Sequence, residues 1–473
     1  MGVIAKIKFS DFSIHPLIRG DFKYINYKKN IETTYPKFIK VKECIKNYYK
    51  GFAFKSADFE MDSEIYVVKG DMFKNDFTID YSSSQFLSLD FYDNEKYKKF
   101  KISKGDVIVS LVGSIGKMVI VTEEKKSLLN QNNIALQVDT SINDVKFFAH
   151  TLKKAIKELA DNVYKNSGYS FLAIDDLFEI KLPLVSLEQQ KIIVPKIIKI
   201  ENEIKALKTS VLPSLSAINQ VFSNHFKINL DEIDKIENTR FLSIPFSNVK
   251  NNNSGLRASL RWNKMQYIQN TIYSKIDCIK PLGRFIRSTK NGWSPLSVEG
   301  GEGLPVLGQE HFSSNTILKI APSKSTEQTR NNIEDFFIKK GDFFVSRGNT
   351  VDLVALASIV EEEIDDEIIY PDLYIKIEFD ESKVHKEYLA FLFNSFIGRL
   401  YFKYVAKGKN QTMVKVSSAE LLNFRVPIPG KEQQVEIVEA IKTQLEEQKA
   451  IDKKIEEKQQ VINKITEDAV KQE

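Results

Sequence analysis

The chain has 473 residues, of which 42% are hydrophobic and 28% are charged, a composition typical of a soluble globular protein. This length predicts two to four domains. The net charge of +5, from 68 Lys and Arg against 63 Asp and Glu, permits a polyanionic partner without requiring one.

The two cysteines, Cys44 and Cys278, lie in no C-x-x-C or His/Cys spacing. We therefore expect neither a disulfide framework nor a zinc site. The N-terminal segment lacks the pattern of a secretory signal, and no apolar run approaches the roughly eighteen residues of a membrane span. These observations predict a soluble cytoplasmic protein without a membrane segment, a metal or a cofactor.

The first motif in chain order, KGDVIVSLVGSIGKMVIV (Lys104–Val121), resembles a phosphate-binding loop because glycines and a lysine follow an apolar strand. The spacing excludes a P-loop, since Leu111 stands where its first glycine is required and Met118 where the metal-binding hydroxyl is required. Only Gly113 and Gly116 are available for a dinucleotide pattern, which needs three glycines. We expect a tight turn between two strands.

This motif occurs twice. Lys104–Val121 recurs at Lys339–Val360, and Leu172–Val194 recurs at Val414–Val438. The two offsets, 236 residues from Gly105 to Gly341 and 244 from Pro183 to Pro427, are nearly equal. The chain therefore consists of two copies of a unit of about 240 residues.

Each copy ends in a predicted helix with one narrow apolar seam. In the first copy the seam predicts one helix from Leu187 to Phe222, 36 residues long and ~54 Å in length. Pro195 should kink this helix or shift its start. Neither helix can bury its seam alone, so we expect the two helices to pack together as an antiparallel coiled coil around a pseudo-twofold axis.

Between these helices, strand candidates alternate with short helices, such as DVIVSLV and NIALQV in the first copy and DFFVSR and DLYIKIEF in the second. The predicted fold is α+β, with two globular mixed-sheet domains separated by the two long helices. The predicted boundaries are 1–185 for the first domain, 186–225 for the first helix, 226–256 for a linker, 257–429 for the second domain and 430–473 for the second helix.

Taken together, the duplicated KGD stretch, LNQNNIALQV (Leu129–Val138), NGWSPLSVEGGEGLPVLGQEHF (Asn291–Phe312) and the Pro-and-EQQ segment before each helix resemble the specificity subunit of Type I restriction-modification systems. The similarity covers nearly the whole chain, and the order and duplication of the motifs are more specific than any one of them.

The resemblance implies a non-catalytic subunit with two target recognition domains, each reading one half of a split, asymmetric site in double-stranded DNA. It also implies that the helices set the spacer and contact two methyltransferase subunits, with motor-nuclease subunits joining for restriction. A helix of the predicted length would accommodate half-sites one helical turn apart, ~34 Å.

Four segments carry side chains suited to DNA: Arg and Lys for guanine, Asn and Gln for adenine, and Ser, Thr and Lys for phosphates. We name them the aromatic loop (46–56 and 287–295), the opening loop (after Ser110 and Ser346), the strand-start segment (130–133) and the basic loop (165–170 and 407–412). The candidate residues are Lys50, Lys55, Ser114, Lys117, Asn130, Gln131, Asn132, Lys165, Asn166, Tyr169, Lys290, Asn291, Trp293, Arg347, Asn349, Thr350, Lys407, Lys409, Asn410 and Gln411. The alternative for each is a turn residue or a solvated lysine.

The sequence gives little support for a catalytic activity of the chain. The cofactor turn and the Asn/Asp-Pro-Pro-aromatic loop of an amino-methyltransferase do not occur. Asp372, Glu381 and Lys383 superficially match a PD-(D/E)xK nuclease, but the first copy has no acid where Asp372 stands. The aromatics interleaved with Lys, as in YYKGFAFKS, are interpreted as half-buried rather than as a base-stacking surface.

The main alternative to DNA recognition is a coiled-coil scaffold or dimerisation protein whose globular domains bind no DNA. A single-chain nuclease-methyltransferase is disfavoured by the length and by the missing motifs.

Overall fold

The computed structural model describes residues 37–60, 62–113, 115–161, 171–245, 250–251, 255–256, 260–313, 315–410 and 413–471. The chain divides into two compact units. The first unit comprises residues 1–210 and 453–473, and the second comprises residues 211–452. The predicted α+β class is confirmed, because both units combine helices with mixed or antiparallel sheets.

In the first unit the strands are β1 (Phe38–Lys40), β2 (Ile45–Lys50), β3 (Phe59–Glu60), β4 (Ile65–Val68), β5 (Gln85–Leu87), β6 (Val107–Ser110), β7 (Met118–Ile120), β8 (Ser127–Leu129), β9 (Asn133–Val138) and β10 (Lys181–Pro183). The α-helices are α1 (Leu89–Asp93), α2 (Val145–Leu159), α3 (Ile174–Glu179) and α4 (Leu187–Ser210). Short 3-10 helices span Val41–Glu43, Ser56–Asp58, Gly70–Met72, Tyr81–Ser83 and Glu95–Phe100.

In the second unit the strands are β11 (Lys250–Asn251), β12 (Gly255–Leu256), β13 (Ile279–Pro281), β14 (Ile286–Asn291), β15 (Val298–Glu299), β16 (Leu304–Val306), β17 (Lys324–Thr326), β18 (Phe343–Ser346), β19 (Gly348–Asn349), β20 (Ala357–Ile359), β21 (Tyr374–Phe379), β22 (Lys407–Asn410), β23 (Met413–Lys415) and β24 (Arg425–Pro427). The α-helices are α5 (Ser214–Phe226), α6 (Leu230–Asn238), α7 (Leu260–Tyr273), α8 (Lys386–Asn394), α9 (Phe396–Val405), α10 (Ser418–Leu422) and α11 (Lys431–Lys471), whose last turns belong to the first unit. Short 3-10 helices span Leu282–Arg284, Gln309–His311 and Ile333–Phe336.

Both units are built on the same antiparallel sheet. The strand order is β2-β9-β6-β7 in the first unit and β14-β21-β18-β20 in the second. The register also agrees, because Val109 pairs with Ile134 in the first sheet and Val345 with Ile375 in the second. In each unit a short antiparallel pair, β1 with β10 or β13 with β24, joins the chain before the main sheet to the chain that leads into the long helix. The predicted internal repeat is therefore confirmed.

Each sheet is covered on both faces, which explains why its central strands are apolar without alternation. In the first unit, Val107 and Val109 pack with α2, whereas Ile108 packs with Val68 and Met72. In the second unit, one face contributes Phe343 and Val345 to the core that contains α8, and the other face contributes Phe344 to a separate core.

The Gly-Asp pair before each central strand closes a turn. Gly105 and Gly341 have φ values of +93° and +82°, which favour glycine. The carboxylate of Asp106 accepts a hydrogen bond from the Ser103 N–H at 2.8 Å, and that of Asp342 accepts one from the Lys339 N–H at 2.9 Å. The repeated KGD motif is thus part of the scaffold.

The opening loop of the first unit is a tight turn, as predicted. Gly113 and Gly116 have φ values of +77° and +78°. The Ser110 N–H donates to the Lys117 carbonyl at 2.8 Å, and the Gly116 N–H donates to the Ser110 carbonyl at 3.1 Å. The glycines therefore serve the chain reversal between β6 and β7.

The prediction of one continuous helix from Leu187 to Phe222 is wrong. Helix α4 ends at Ser210, and α5 begins at Ser214 with Pro213 as its N-cap. A proline disfavours helical conformation in the residue before it, and the N–H of that residue, Leu212, donates instead to the Gln448 side chain at 2.7 Å. The sequence contained this signal in Pro213.

Pro195 does not shift the start of the helix, since α4 starts at Leu187 and continues through it. A kink at Pro195 stays a prediction. Pro195 lies on the exposed face of the helix, as does Lys191. The Lys191 carbonyl, which loses its intrahelical partner at this proline, can therefore be hydrated.

The two long helices pack in opposite directions. In the first unit Ile193, Ile197 and Ile204 of α4 share one apolar cluster with Ile462 and Ala469 of α11. Glu203 of α4 pairs with Lys458 of α11, and the Leu212 N–H, just beyond the end of α4, donates to Gln448 of α11. Residue numbers therefore rise along the first segment as they fall along α11. The predicted antiparallel arrangement is confirmed. Among the described helices, none combines the length and hydropathy that a bilayer span requires.

A buried glutamine explains the repeated EQQ motif. Gln190, 1% exposed, accepts the Asp144 N–H at 2.7 Å and donates to the carbonyls of Ile142 and Val185. Gln434, 0% exposed, makes the same three kinds of bond: it accepts the His385 N–H at 2.8 Å and donates to the Lys383 and Pro429 carbonyls. Each glutamine fixes the long helix to the N-terminus of the domain helix, α2 or α8. We name this arrangement the glutamine clamp.

Replacing either clamp glutamine should destabilise its unit. Gln190→Leu or Gln434→Leu leaves a buried N–H and two carbonyls without their partner, at about 1–3 kcal/mol for each unsatisfied group. Differential scanning calorimetry should show a lower melting temperature for each variant. The control is Gln433→Leu, because Gln433 is exposed beside the clamp. Equal melting temperatures for Gln434→Leu and Gln433→Leu would contradict a clamp role.

Candidate nucleic-acid interface

In the second unit, main-chain bonds join the opening loop to the chain just before β21 and to the strand pair that contains part of the basic loop. The Arg347 N–H in the opening loop donates to the Leu373 carbonyl, just before β21, at 2.7 Å. In the same loop, β19 pairs with β23, which places Asn349 opposite Val414. The described part of the basic loop is β22, which pairs with β23 and therefore lies close to the opening loop.

The aromatic loop reaches the same edge through a glycine. The Trp293 N–H donates to the Tyr370 carbonyl at 3.1 Å. A Cβ on Gly292 would lie 2.1 Å from the Pro371 carbonyl oxygen, so no larger residue fits there. The chain just before β21 thus contacts both the aromatic loop and the opening loop.

The first unit repeats this arrangement. The Phe52 N–H donates to the Leu129 carbonyl at 2.8 Å, and a Cβ on Gly51 would lie 2.1 Å from the Asn130 carbonyl oxygen. The Leu111 N–H donates to the Asn132 carbonyl at 2.9 Å, and the Leu172 N–H, just after the basic loop, donates to the Leu111 carbonyl. In the first unit the aromatic loop, the opening loop and the strand-start segment, far apart in sequence, converge at one edge of the sheet. In the second unit the aromatic loop, the opening loop, the chain just before β21 and the described part of the basic loop converge in the same way. We name this edge of each sheet the loop edge.

The exposure of the candidate side chains varies along the loop edge. Exposed candidates are Lys50, Lys55, Lys117, Gln131, Asn132, Lys290, Asn291, Thr350 and Lys407, and partly buried ones are Asn130, Trp293, Arg347 and Asn349. Ser114, Lys165, Asn166, Tyr169 and Gln411 lie outside the described residues. Lys409 and Asn410 belong to β22. DNA contact by each of these residues stays a prediction.

Some candidate lysines already have acidic partners. Lys290 pairs with Asp335 at 2.9 Å, and this hydrogen bond lowers the pKa of the Asp335 carboxyl. Lys407 pairs with Glu420 at 2.9 Å while remaining 79% exposed. Exposed pairs of this kind contribute little to stability, so a phosphate can compete for either lysine.

In the second unit, three loop-edge side chains are linked. The Ser294 hydroxyl donates to the Asp372 carboxylate at 2.6 Å, and Arg347 donates to the same carboxylate at 3.3 Å. Gln309 accepts a hydrogen bond from the Ser346 hydroxyl at 2.8 Å and donates to the Leu373 carbonyl at 3.0 Å. Gln309 and Ser294 were not singled out from the sequence, because neither repeats in the first copy.

At each loop edge, a cationic side chain lies over an aromatic ring. Trp293 lies 5.4 Å from the Arg330 guanidinium, and the equivalent Phe52 lies 5.9 Å from the Lys96 ammonium. Phe52, Phe54 and Tyr97 form edge-on contacts and are partly buried. The interpretation of the aromatics as half-buried is confirmed for Phe52, Phe54 and Tyr97, whereas Tyr48 is 47% exposed. The sequence did not point to Arg330 or Lys96, which come from distant segments.

The nuclease-like residues do not meet. Asp372 precedes β21 and binds Ser294, whereas Glu381 and Lys383 follow β21 and pair with Lys386 and Asp380. The six-residue strand between them corresponds to roughly 20 Å. Within the described ranges, no group of three His, Cys, Asp or Glu side chains could hold a metal ion.

Comparison with solved structures gives three chains that each align with 92% of this chain. One, from work on the structural basis of complex assembly and conformational transition of the type I R-M system, is 12% identical, with a TM-score of 0.46 over 96% of its length. The Type-I restriction-modification system S subunit from M. genitalium is 14% identical, with a TM-score of 0.38 over 95%. The HsdS subunit from Thermoanaerobacter tengcongensis is 13% identical, with a TM-score of 0.31 over 96%.

The family of the chain is shown by its sequence and not by these structures. None of the curated protein sequences matches the chain. The family model described as Type I restriction modification DNA specificity domain matches it twice, at residues 37–213 and 286–463. These matches cover most of the chain and follow the two structural copies. The chain therefore belongs to the Type I restriction-modification DNA specificity family, and it carries two copies of the family's domain.

Proposed function

We propose that this chain is the DNA-specificity subunit of a Type I restriction-modification complex and that it reads a bipartite, asymmetric target in duplex DNA. The observation that carries the proposal is the loop edge, where separate segments with amide, basic and aromatic side chains converge, three of them described in the first unit and four in the second. Their main chains are fixed by hydrogen bonds, so side chains of many kinds can be presented from one scaffold.

The two loop edges present different chemistry. The first has Asn130, Gln131 and Asn132 where the second has Pro371, Asp372 and Leu373. Adjacent amides suit adenine, which offers a paired donor and acceptor in the major groove. Two unlike edges support the proposal that the two halves of the target differ in sequence.

The long helices are the proposed docking surface for two methyltransferase subunits, with motor-nuclease subunits joining the complex. Ile192 of α4 is 62% exposed and Val461 of α11 is 46% exposed, although both helices bury another face. In this proposal the chain supplies recognition and no catalysis, requires no cofactor of its own and acts in the cytoplasm.

Exchanging one domain should change one half of the target. Replacing residues 257–429 with the equivalent domain of a relative, and assembling the chimaera with the methyltransferase, should alter one half of the methylated motif in methylome sequencing. A matched exchange of residues 1–185 should alter the other half. An unchanged motif in both chimaeras would favour the alternative of a scaffold that binds no DNA.

A lysine at the loop edge should contribute to the salt dependence of binding. Lys407→Ala in the assembled complex should weaken binding to all duplexes and reduce the slope of log K against log salt by about 1, because one phosphate contact is lost. The control is Lys383→Ala, since Lys383 is also exposed and paired with an acid but lies beyond the opposite end of β21. Equal slopes for the two variants would place the phosphates away from the basic loop.

A further inference from the structure

Arg347 is positioned unlike a free surface arginine. It directly follows the buried Ser346 at the end of β18, and its side chain is 28% exposed. Its Nη1 donates to the main-chain oxygen of Asp372 at 3.2 Å and to the carboxylate of the same residue at 3.3 Å. Among the described residues, Nε and Nη2 have no hydrogen-bond partner. Nη1 of the planar guanidinium is thus hydrogen-bonded within the protein, whereas the edge formed by Nε and Nη2 can donate to a ligand.

The Asp372 carboxylate, which binds Arg347, is itself fixed by hydrogen bonds. The Asp372 carboxylate accepts the Ser294 hydroxyl at 2.6 Å, and the Asp372 N–H donates back to that hydroxyl oxygen at 3.0 Å. The segment around Asp372 is fixed further by the close approach of Gly292 to Pro371. Such support restricts the orientation of the guanidinium before any ligand binds.

We infer that Arg347 reads a guanine in the half-target contacted by the second unit, with Asp372 and Ser294 as its positioning residues. The inference rests on the proposed function and extends it. The free Nε and Nη2 edge offers two parallel donors, which match the O6 and N7 acceptors of guanine in the major groove. A lysine cannot reproduce this planar pair of donors.

The inferred guanine belongs to one half of the target. In the first unit, Leu111 occupies the position of Arg347 and Gln131 that of Asp372, as the matching main-chain bonds to Asn132 and Leu373 show. The first unit therefore has no equivalent pair. Such a difference is expected of a residue that reads a base, since the two halves differ, whereas a phosphate contact carries no sequence information.

The test uses the chain assembled with its methyltransferase subunits. The wild-type motif is first determined by methylome sequencing, and the half read by the second unit is identified by exchange of residues 257–429. Arg347→Ala and Arg347→Lys should each relax one guanine position in that half and leave the other half unchanged. Binding to the cognate duplex should fall roughly ten- to hundredfold, as expected for one lost bidentate contact.

The positioning residues give a second readout. Asp372→Asn and Ser294→Ala should relax the same guanine position to a smaller degree, whereas Lys383→Ala, beyond the opposite end of β21, should leave that position strict. Melting temperatures of the free subunits establish that each variant is folded. Arg347→Lys supplies a second measurement, because it retains the charge that a phosphate contact needs.

Three results would overturn the inference. A wild-type motif without guanine in the half read by the second unit would exclude it. Equal weakening on all duplexes by Arg347→Ala, with normal behaviour of Arg347→Lys and an unchanged motif, would assign Arg347 to a phosphate. Sequence-independent methylation by the wild-type complex would instead refute the proposed function itself, and the inference with it.

Discussion

Each unit depends on one buried side chain, the clamp glutamine Gln190 or Gln434. A single amide satisfies the N–H at the start of the domain helix and two carbonyls, one of them directly before the long helix. These groups would otherwise be buried without partners, which folded proteins avoid. The clamp thus sets where the long helix leaves the domain, and its occurrence in both copies gives them the same geometry.

At the loop edge, main-chain bonds fix the backbone and the side chains are left to vary. The equivalent glycines Gly51 and Gly292 each admit a carbonyl where a Cβ would clash. Around them, Asn132 in one copy is replaced by Leu373 in the other, and each still accepts the N–H of the residue that follows the central strand. A backbone held in this way tolerates exchange of the exposed residues, because their substitution removes none of the bonds that form the edge.

Features that repeat along the sequence could be predicted from it, whereas contacts between distant segments could not. The duplicated Gly-Asp turn, the two copies and the antiparallel helices followed from pattern and spacing. The break at Pro213 was missed because the apolar seam continues on both sides of it, so periodicity outweighed the local effect of proline. The contacts of Arg330 with Trp293 and of Ser294 with Asp372 join segments 37 and 78 residues apart, and no local pattern records them.

Because helix α11 is synthesised after the second domain, it affects how the first unit folds during translation. Its residues 453–471 complete the apolar cluster of the first unit, although the ribosome makes them after the whole of the second unit. Until then, Ile193, Ile197 and Ile204 lack their α11 neighbours. The apolar seam of the nascent first domain therefore stays incompletely covered while the second domain is synthesised, and transiently exposed apolar surface favours aggregation.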